Sequence, residues 1–214
     1  MTYLITGANR GIGAEMRTQL QSRGDTVIGT HRDAPQDGFL QLDVTQPADF
    51  DKLAQGLQGH KIATLVCNAG VYLDKGEDLE TGYPQDMWAA TFAANVTGVF
   101  KTIQTVLPFL ESGSKIGIIS SQMGANAKAS GGSYIYRASK AAVLNLGSNL
   151  ATDLKSRGIS VGIYHPGWVQ TDMGGDVAAI TPTQSANGLI ARLDDLSIQT
   201  SGTFQNWDGT PHPY

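Results

Sequence analysis

Cysteine and histidine are scarce in this sequence. Its single cysteine, Cys67, has no partner for an internal disulfide, and the apolar run ATLVCNAG around it indicates a buried, inert thiol. The four histidines, at positions 31, 60, 165 and 212, share no metal-ligand spacing with Cys67 or with one another. We therefore expect neither a disulfide nor a metal site.

An excess of positive charge is also lacking, since 15 Lys and Arg residues stand against 19 Asp and Glu residues, for a net charge of −4. Such a chain has no basic surface for nucleic acid or an anionic membrane. No apolar run is long enough to span a bilayer, and the first residues carry no charged leader with an apolar core. We expect a cytoplasmic protein with no nucleic-acid or membrane partner.

The composition is that of a globular protein, with 41% hydrophobic residues, 16% charged residues and 26 glycines in 214 positions. That length suits one domain, and no linker or repeat divides residues 1–214. Seven short apolar runs alternate with helical patterns, which predicts a parallel sheet covered on both faces. The predicted strands are 2–6, 26–30, 39–44, 63–68, 115–121, 160–165 and 202–207.

The predicted connections between strands differ in length. Only eight residues separate Thr30 from Phe39, which is too few for a helical crossover, so we expect a loop or a single turn there. The longest helical patterns cover 84–111 and 134–157, with Gly113 and Gly158 as stop signals.

The stretch TGANRGIG, residues 6–13, lies between the first predicted strand and a helical run. A glycine-rich turn at a helix N-terminus presents backbone N–H groups and the positive end of the helix dipole, which suits a pyrophosphate. Gly7, Gly11 and Gly13 are the positions where a side chain would obstruct the turn. An ordinary strand-to-helix connection is the alternative.

The end of the second strand, GTHRD, bears on which dinucleotide would bind. Arg32 follows the strand and Arg10 lies inside the glycine-rich turn, and arginine there accommodates the 2′-phosphate of NADP. Asp33 keeps NAD possible, because a carboxylate at this point binds the ribose hydroxyl. Arg32 could also be a solvated loop cation.

Tyr136 and Lys140 are four residues apart on a predicted helix, so their side chains share one face. An ammonium next to a phenol lowers the phenol's pKa and prepares it for proton transfer near neutral pH. The preceding strand ends in Ser120 and Ser121, at the edge where open α/β sheets bind ligands. Serines at a strand end can equally be turn formers.

Taken together and in order, these motifs resemble those of the short-chain dehydrogenase/reductase family over essentially the full chain. Besides the turn at 6–13, they are LDV (42–44), NAG (68–70), AANVTG around Asn95, SSQMG, YRASK and HPGWVQTDM. The last segments are similar to the small C-factor-like branch. The resemblance implies a doubly wound Rossmann fold with a parallel seven-stranded sheet.

The resemblance also implies an NAD(P)(H)-dependent oxidoreductase, of the carbonyl reductase or alcohol dehydrogenase type, that acts on a small carbonyl or alcohol. Tyr136 would exchange the proton and Ser121 would bind the substrate oxygen. Ser121 is preferred over Ser120 because family members place the serine three residues before a glycine, here Gly124. Lys140 would lower the Tyr136 pKa and hold the ribose. Asn95 would link Lys140 to water.

By the same resemblance, Asp43 would contact adenine and Thr171 the carboxamide. The full set implied for the cofactor is Gly7, Asn9, Arg10, Gly11, Ile12, Gly13, His31, Arg32, Asp43, Val44, Asn68, Ala69, Gly70, Tyr136, Lys140, Pro166, Gly167, Val169 and Thr171. The short segment after Thr171 implies an open substrate pocket. Its expected lining is Ser121, Met123, Tyr134, Trp168 and Met173.

Two other functions compete with this interpretation. A non-enzymatic cofactor-sensing or signalling protein could keep the fold, although such a protein has no need of a reactive phenol. A sugar-nucleotide epimerase would require a different glycine spacing and a longer chain. The two long helices imply a homodimer or homotetramer, because family members pair these helices across two-fold axes.

Overall fold

The computed structural model describes residues 1–33 and 38–214, and within them seven parallel strands form one sheet in the order β3-β2-β1-β4-β5-β6-β7. The strands are β1 (Thr2–Ile5), β2 (Thr26–His31), β3 (Phe39–Gln41), β4 (Thr64–Cys67), β5 (Lys115–Ile119), β6 (Ser160–His165) and β7 (Phe204–Asn206). β1 lies between β2 and β4. From β1 the chain builds the sheet outward through β2 and β3 on one side, and then through β4 to β7 on the other side. Open α/β sheets bind ligands in the crevice at such a switch point.

Helices cover both faces of the sheet, which confirms the doubly wound Rossmann fold. They are α1 (Gly11–Ser22), α2 (Pro47–Gly56), α3 (Gln85–Phe92), α4 (Gly98–Val106), α5 (Tyr134–Leu154) and α6 (Pro182–Asp195). On one face, Met16 of α1 and Leu189 of α6 pack in the same buried cluster. On the other face, the buried cluster joins α2, α4 and α5 through Leu53, Ile103 and Val143. No helix in the described ranges is long and apolar enough to cross a membrane.

The predicted strands were mostly too long at their carboxyl ends. β5 ends at Ile119, so Ser120 and Ser121 lie beyond the sheet, and β3 ends at Gln41 rather than at residue 44. The residues that follow use their polar groups for turns. Ser121, for example, accepts a hydrogen bond from the Met123 amide. There are two exceptions: β2 continues by one residue to His31, and β6 ends at His165 as predicted.

The single long helix predicted over 84–111 was wrong. A π-helical turn, Ala93–Thr97, separates α3 from α4, and α4 gives way to a 3-10 turn at Leu107–Phe109. Pro108, which has no backbone N–H, lies in that last turn. The pattern over 134–157 forms α5 and a final 3-10 turn that ends at Gly158, where φ is 70°. The connection between Thr30 and Phe39 lies partly outside the described residues, so its conformation stays a prediction.

Candidate active site

The glycine-rich turn forms a tight cradle after β1. A Cβ atom on Gly13 would overlap the Gly7 carbonyl oxygen and lie 2.6 Å from Nδ2 of Asn68. Asn68 Nδ2 itself donates hydrogen bonds to the carbonyl oxygens of Thr6 (3.0 Å) and Gly7 (3.1 Å). The asparagine after β4 therefore braces the turn after β1. α1 begins at Gly11, so its free N–H groups border this cradle, which fits the pyrophosphate of a dinucleotide.

Of the residues expected at the adenosine end, His31 and Arg32 lie at the end of β2, whereas Arg10 lies in the glycine-rich turn. Arg10 is exposed, and its Nη1 lies 2.6 Å from Oδ2 of Asp172. Arg32 Nε lies 3.7 Å from Oδ1 of Asp33, and both side chains are exposed. His31 is buried edge-on against Phe39, with ring centroids 5.2 Å apart. Neither ring nitrogen of His31 has a hydrogen-bond partner within the described part of the chain.

Asp43 and Val44 follow β3. Asp43 Oδ1 accepts hydrogen bonds from the Thr45 amide (2.9 Å) and hydroxyl (2.7 Å), so this carboxylate stabilises its own turn. Val44 packs against the first residue of α4, because a Cβ atom on Gly98 would lie 2.8 Å from the Val44 Cβ.

Gly70 brings two of the expected catalytic side chains together. A Cβ atom at this position would lie 3.1 Å from Oδ1 of Asn95 and 3.7 Å from Nζ of Lys140. Ala69, its neighbour, donates its amide to the Thr6 hydroxyl at 3.0 Å. The segment after β4 thus lies between the glycine-rich turn and the side chains of α5.

Asn95 lies in the π-helical turn between α3 and α4. Its side chain donates to the Val71 carbonyl (2.9 Å) and to Ser139 Oγ (3.0 Å), and it accepts from the Val71 amide (2.8 Å). Ser139 Oγ in turn donates to the Tyr136 carbonyl at 2.8 Å. Asn95 therefore ties the segment after β4 to the backbone that carries Tyr136. π-helical turns are frequent at functional sites.

Ser121 follows β5 and caps the short 3-10 turn Gln122–Gly124. Gly124 allows this turn to pack on α5, since a Cβ atom there would lie 2.5 Å from the Lys140 carbonyl carbon. Ser120 is buried and donates to the Lys140 carbonyl oxygen at 3.0 Å. The two serines therefore differ: Ser120 bonds to the α5 backbone, and Ser121 borders the Tyr136 phenol.

Tyr136 and Lys140 are both buried in the first half of α5. Lys140 Nζ lies 5.6 Å from the centre of the Tyr136 ring and donates to the Ile119 carbonyl oxygen at 3.0 Å. Burial raises the pKa of Tyr136 to about 12, although the nearby Ser121 side chain opposes the rise. Burial also lowers the pKa of Lys140 to about 8.

In the protein without cofactor, the Tyr136 pKa is therefore raised, and the expected lowering by Lys140 is not seen. Desolvation of the phenol outweighs its polar contacts, and the nearby acidic groups Tyr72 and Asp74 raise its pKa further. A phenol with a pKa of about 12 is protonated at neutral pH. It is prepared to donate a proton rather than to accept one.

The loop after β6 carries the remaining cofactor and substrate positions. Pro166 accepts a hydrogen bond from Ser185 Oγ at 2.6 Å, and Gly167 has a φ of 90°. Val169 is buried, while Thr171 lies against the glycine-rich turn: a Cβ atom on Gly11 would lie 3.3 Å from the Thr171 Cγ2 atom. In the turn itself, Asn9 is exposed and Ile12 is half-buried.

The expected substrate lining is largely open to solvent. Tyr134, Trp168 and Met173 are exposed, at 38%, 51% and 41%, and Met123 is half-buried. Tyr134 packs edge-on against Tyr83, with centroids 5.2 Å apart. Trp168 donates its Nε1–H to the Gly174 carbonyl oxygen at 2.9 Å. Three of these four side chains are therefore accessible to solvent.

A family model for short chain dehydrogenases matches residues 1–180. This chain belongs to the short-chain dehydrogenase family. It is 38% identical to the 1-hydroxy-2-glutathionyl-2-methyl-3-butene dehydrogenase of Rhodococcus sp. strain AD45, over 98% of this chain and 97% of that protein.

Two further proteins are similar to this chain. The C-signal protein of Myxococcus xanthus is 37% identical over 59% of this chain and 78% of that protein, which confirms the C-factor-like branch. The crystal structure of an NADPH-bound carbonyl reductase from chicken fatty liver superposes with a TM-score of 0.88. It is 27% identical and covers 100% of this chain and 98% of that one.

Three residues of this dehydrogenase site were missed in the sequence: Tyr72, Asp74 and Ser139. Tyr72 stacks on Tyr136, with centroids 4.2 Å apart and ring planes 21° from parallel. Asp74 accepts hydrogen bonds from the first turn of α5. Tyr72 and Asp74 follow the NAG motif by two and four residues. Nothing in the sequence indicates that they contact α5, because only the fold brings them to that helix. Within residues 1–33 and 38–214, no cluster of three or more His, Cys, Asp or Glu side chains could hold a metal ion.

Proposed function

We propose that this oxidoreductase transfers a hydride between NADP(H) and a small carbonyl or alcohol substrate. The observation that carries the proposal is the convergence of Ser121, Tyr136, Lys140 and Asn95 on one crevice. That crevice adjoins a glycine cradle that fits a pyrophosphate. The dehydrogenase and carbonyl reductase names of the similar proteins support this reaction class.

The bound nicotinamide would supply or accept the hydride. Ser121 would bind the substrate oxygen, and the protonated Tyr136 phenol would donate its proton to that oxygen as negative charge develops. Lys140 would bind the ribose hydroxyls, and Asn95 would keep the segment after β4 in place beside it. Because the protein alone keeps Tyr136 protonated at neutral pH, the phenol is in the form that reduction of a carbonyl requires.

The preference for NADP rests on two exposed cations at the adenosine end. Arg10 would exchange Asp172 for the 2′-phosphate, and Arg32 would approach it from the end of β2. Asp33, next to Arg32, is the group that would bind the ribose if NAD were the cofactor.

We expect Arg32→Ala to lower kcat/KM with NADPH about 10-fold, because a charge-assisted bond to the 2′-phosphate is lost. The same value with NADH should change less than about two-fold, since NADH lacks that phosphate. Steady-state kinetics with both cofactors measures the difference. Lys61→Ala is the matched control. Lys61 precedes β4 and pairs with Glu111, so it lies at the amino ends of the strands, whereas Arg32 lies at their carboxyl ends. Equal losses with both cofactors would contradict the assignment.

The substrate class follows from the rim of the crevice. Tyr134, Trp168 and Met173 are exposed apolar side chains, so a substrate with an apolar part next to its carbonyl should bind best. The decisive test is titration with NADPH, followed by oxidation of bound NADPH with small aldehydes and ketones. Absence of NADPH binding would refute the proposed function. Binding without turnover of any carbonyl would favour the sensing or signalling alternative that similarity to C-signal raises.

We also propose that residues 1–214 act as one domain that assembles into a homodimer or homotetramer. All seven strands within residues 1–33 and 38–214 join one sheet, and α3 and α4 carry the exposed side chains Trp88 and Phe100. Burial of such aromatic side chains is a large favourable term in association. Light scattering coupled to gel filtration should give two or four times the chain mass of 22.7 kDa. A monomer at micromolar concentration would contradict this proposal. A cytoplasmic location stays a prediction from the sequence.

A further inference from the structure

The loop between β4 and α3 meets the N-terminus of α5, the helix that carries Tyr136 and Lys140. Asp74 in this loop is fully buried, at 0% exposure. Its Oδ2 accepts a hydrogen bond from the Ile135 amide at 2.8 Å, and both of its oxygens lie 3.2 Å from the Tyr136 amide nitrogen. These are the second and third amides of the helix, which an N-cap side chain normally binds.

Ser133, which precedes the helix, does not cap it. Its backbone is left-handed, with φ 47° and ψ 44°, whereas a capping residue has an extended backbone. Its hydroxyl lies 2.5 Å from the Tyr72 hydroxyl, and its amide donates to the Tyr83 hydroxyl at 3.1 Å. The cap of α5 therefore comes from Asp74, about sixty residues earlier in the chain.

Tyr136 is the third residue of α5, so it lies in the turn that this cap holds. The first turn of a helix frays when its N–H groups lack acceptors. Fraying here would displace the Tyr136 phenol from Ser121, which is held separately in the turn after β5. The Tyr72 ring belongs to the same loop as Asp74 and stacks on the Tyr136 ring, so the loop contacts both the backbone and the side chain of Tyr136.

We infer that Asp74 is a positioning residue, which fixes the Tyr136 phenol against Ser121 by capping α5 from the loop after β4. The role rests on the proposed function, because it acts through Tyr136. It does not require Asp74 to touch the substrate or the cofactor. The glycine cradle lies on the other side of the segment 68–70, so cofactor affinity should depend little on Asp74.

Kinetics of Asp74→Ala and Asp74→Asn tests this role. A misplacement of about 1 Å can cost up to about 100-fold in rate. We therefore expect Asp74→Ala to lower kcat by about 10-fold or more, with KM for NADPH within about two-fold of the parent. Asp74→Asn should recover most of kcat, since its carboxamide oxygen still accepts an amide hydrogen bond. An unchanged kcat in Asp74→Ala would overturn the inference.

Asp78→Ala is the matched control. Asp78 lies in the same loop, is exposed, and accepts hydrogen bonds from the amides of Glu80 (2.9 Å) and Thr81 (3.2 Å). It thus makes the same kind of bond to its own loop instead of to α5, and its variant should keep the parental kcat. A loss of kcat in Asp78→Ala equal to that in Asp74→Ala would assign the effect to the loop as a whole and overturn the inference.

Amide hydrogen exchange, measured without cofactor or substrate, separates this inference from the proposed function. Ile135 and Tyr136 amides should exchange at least about 10-fold faster in Asp74→Ala than in the parent, while Val143 in mid-helix should not change. If Asp74→Ala does not fold, the same comparison is made on Asp74→Asn, with smaller but localised acceleration expected. Unchanged exchange at both amides would overturn the inference. A parent protein with no turnover would refute the proposed function and leave this comparison valid.

Discussion

Tyr136→Phe should lower kcat for carbonyl reduction by about 1,000-fold, which is within the range attributed to a positioned general acid. The substitution removes only the hydroxyl, so the ring can still stack on Tyr72. The proton donor to the substrate oxygen is lost, while Ser121 keeps its hydrogen bond from the Met123 amide. The affinity for NADPH should stay within a few-fold of the parent, since the glycine cradle is untouched.

Tyr134→Phe is the matched control for this experiment. Tyr134 is exposed, packs against Tyr83 and lies two residues before Tyr136, on a different face of α5. Its variant should change substrate KM or have no effect. Single-turnover rates with saturating NADPH compare the two variants directly. Should Tyr136→Phe retain its rate and Tyr134→Phe lose it, the proton donor would be Tyr134 and the proposed mechanism would be wrong.

The sheet and its crevice could be predicted from the sequence because their signals are local. Apolar runs bounded by turn residues mark the strands, and TGANRGIG contains its strand end, its turn and its helix start within a few residues. The ends of the strands were predicted less well. Ser120 and Ser121 continue the β5 pattern in sequence, but the hydroxyl of Ser120 bonds to α5 and that of Ser121 to its own turn.

The contacts of Tyr136 with Tyr72 and Asp74 could not be predicted, because they join distant parts of the chain. Tyr72 and Asp74 reach α5 from the loop after β4, and nothing in their spacing from Tyr136 marks that contact. The π-helical turn at Asn95 was indicated only by an asparagine inside an apolar helical pattern. The raised pKa of Tyr136 also depends on tertiary packing, since burial by several elements sets it.

Lys140→Met should stabilise the protein while it abolishes turnover. Lys140 is buried, and burial lowers its pKa from 10.5 to about 8, so the folded state disfavours the charged form. This difference corresponds to about 3 kcal/mol. The loss of the hydrogen bond to the Ile119 carbonyl offsets about 1 kcal/mol of it. At pH 7 we expect a gain of about 2 kcal/mol in the free energy of unfolding.

The gain should depend on pH with a definite sign. Below about pH 8 Lys140 is protonated in both the folded and the unfolded state, so the parent bears the full cost of a buried cation. Between about 8 and 10.5 the unfolded chain binds a proton that the folded chain does not, and the parent gains stability as the pH rises. The advantage of Lys140→Met should therefore disappear over this interval. Groups such as Cys67, whose pKa is raised, act in both proteins and cancel in the difference.

Urea unfolding at pH 7, 9 and 10 measures this difference, with Lys101→Met as the control. Lys101 is exposed on α4, where its Nζ donates a hydrogen bond to Gln104, so its variant should show no such pH dependence. A Lys140→Met protein that is less stable than the parent at pH 7 would contradict the prediction. If stability rises and turnover is lost together, then the buried ammonium is held at a cost to folding, and its role lies in the reaction that Tyr136 performs.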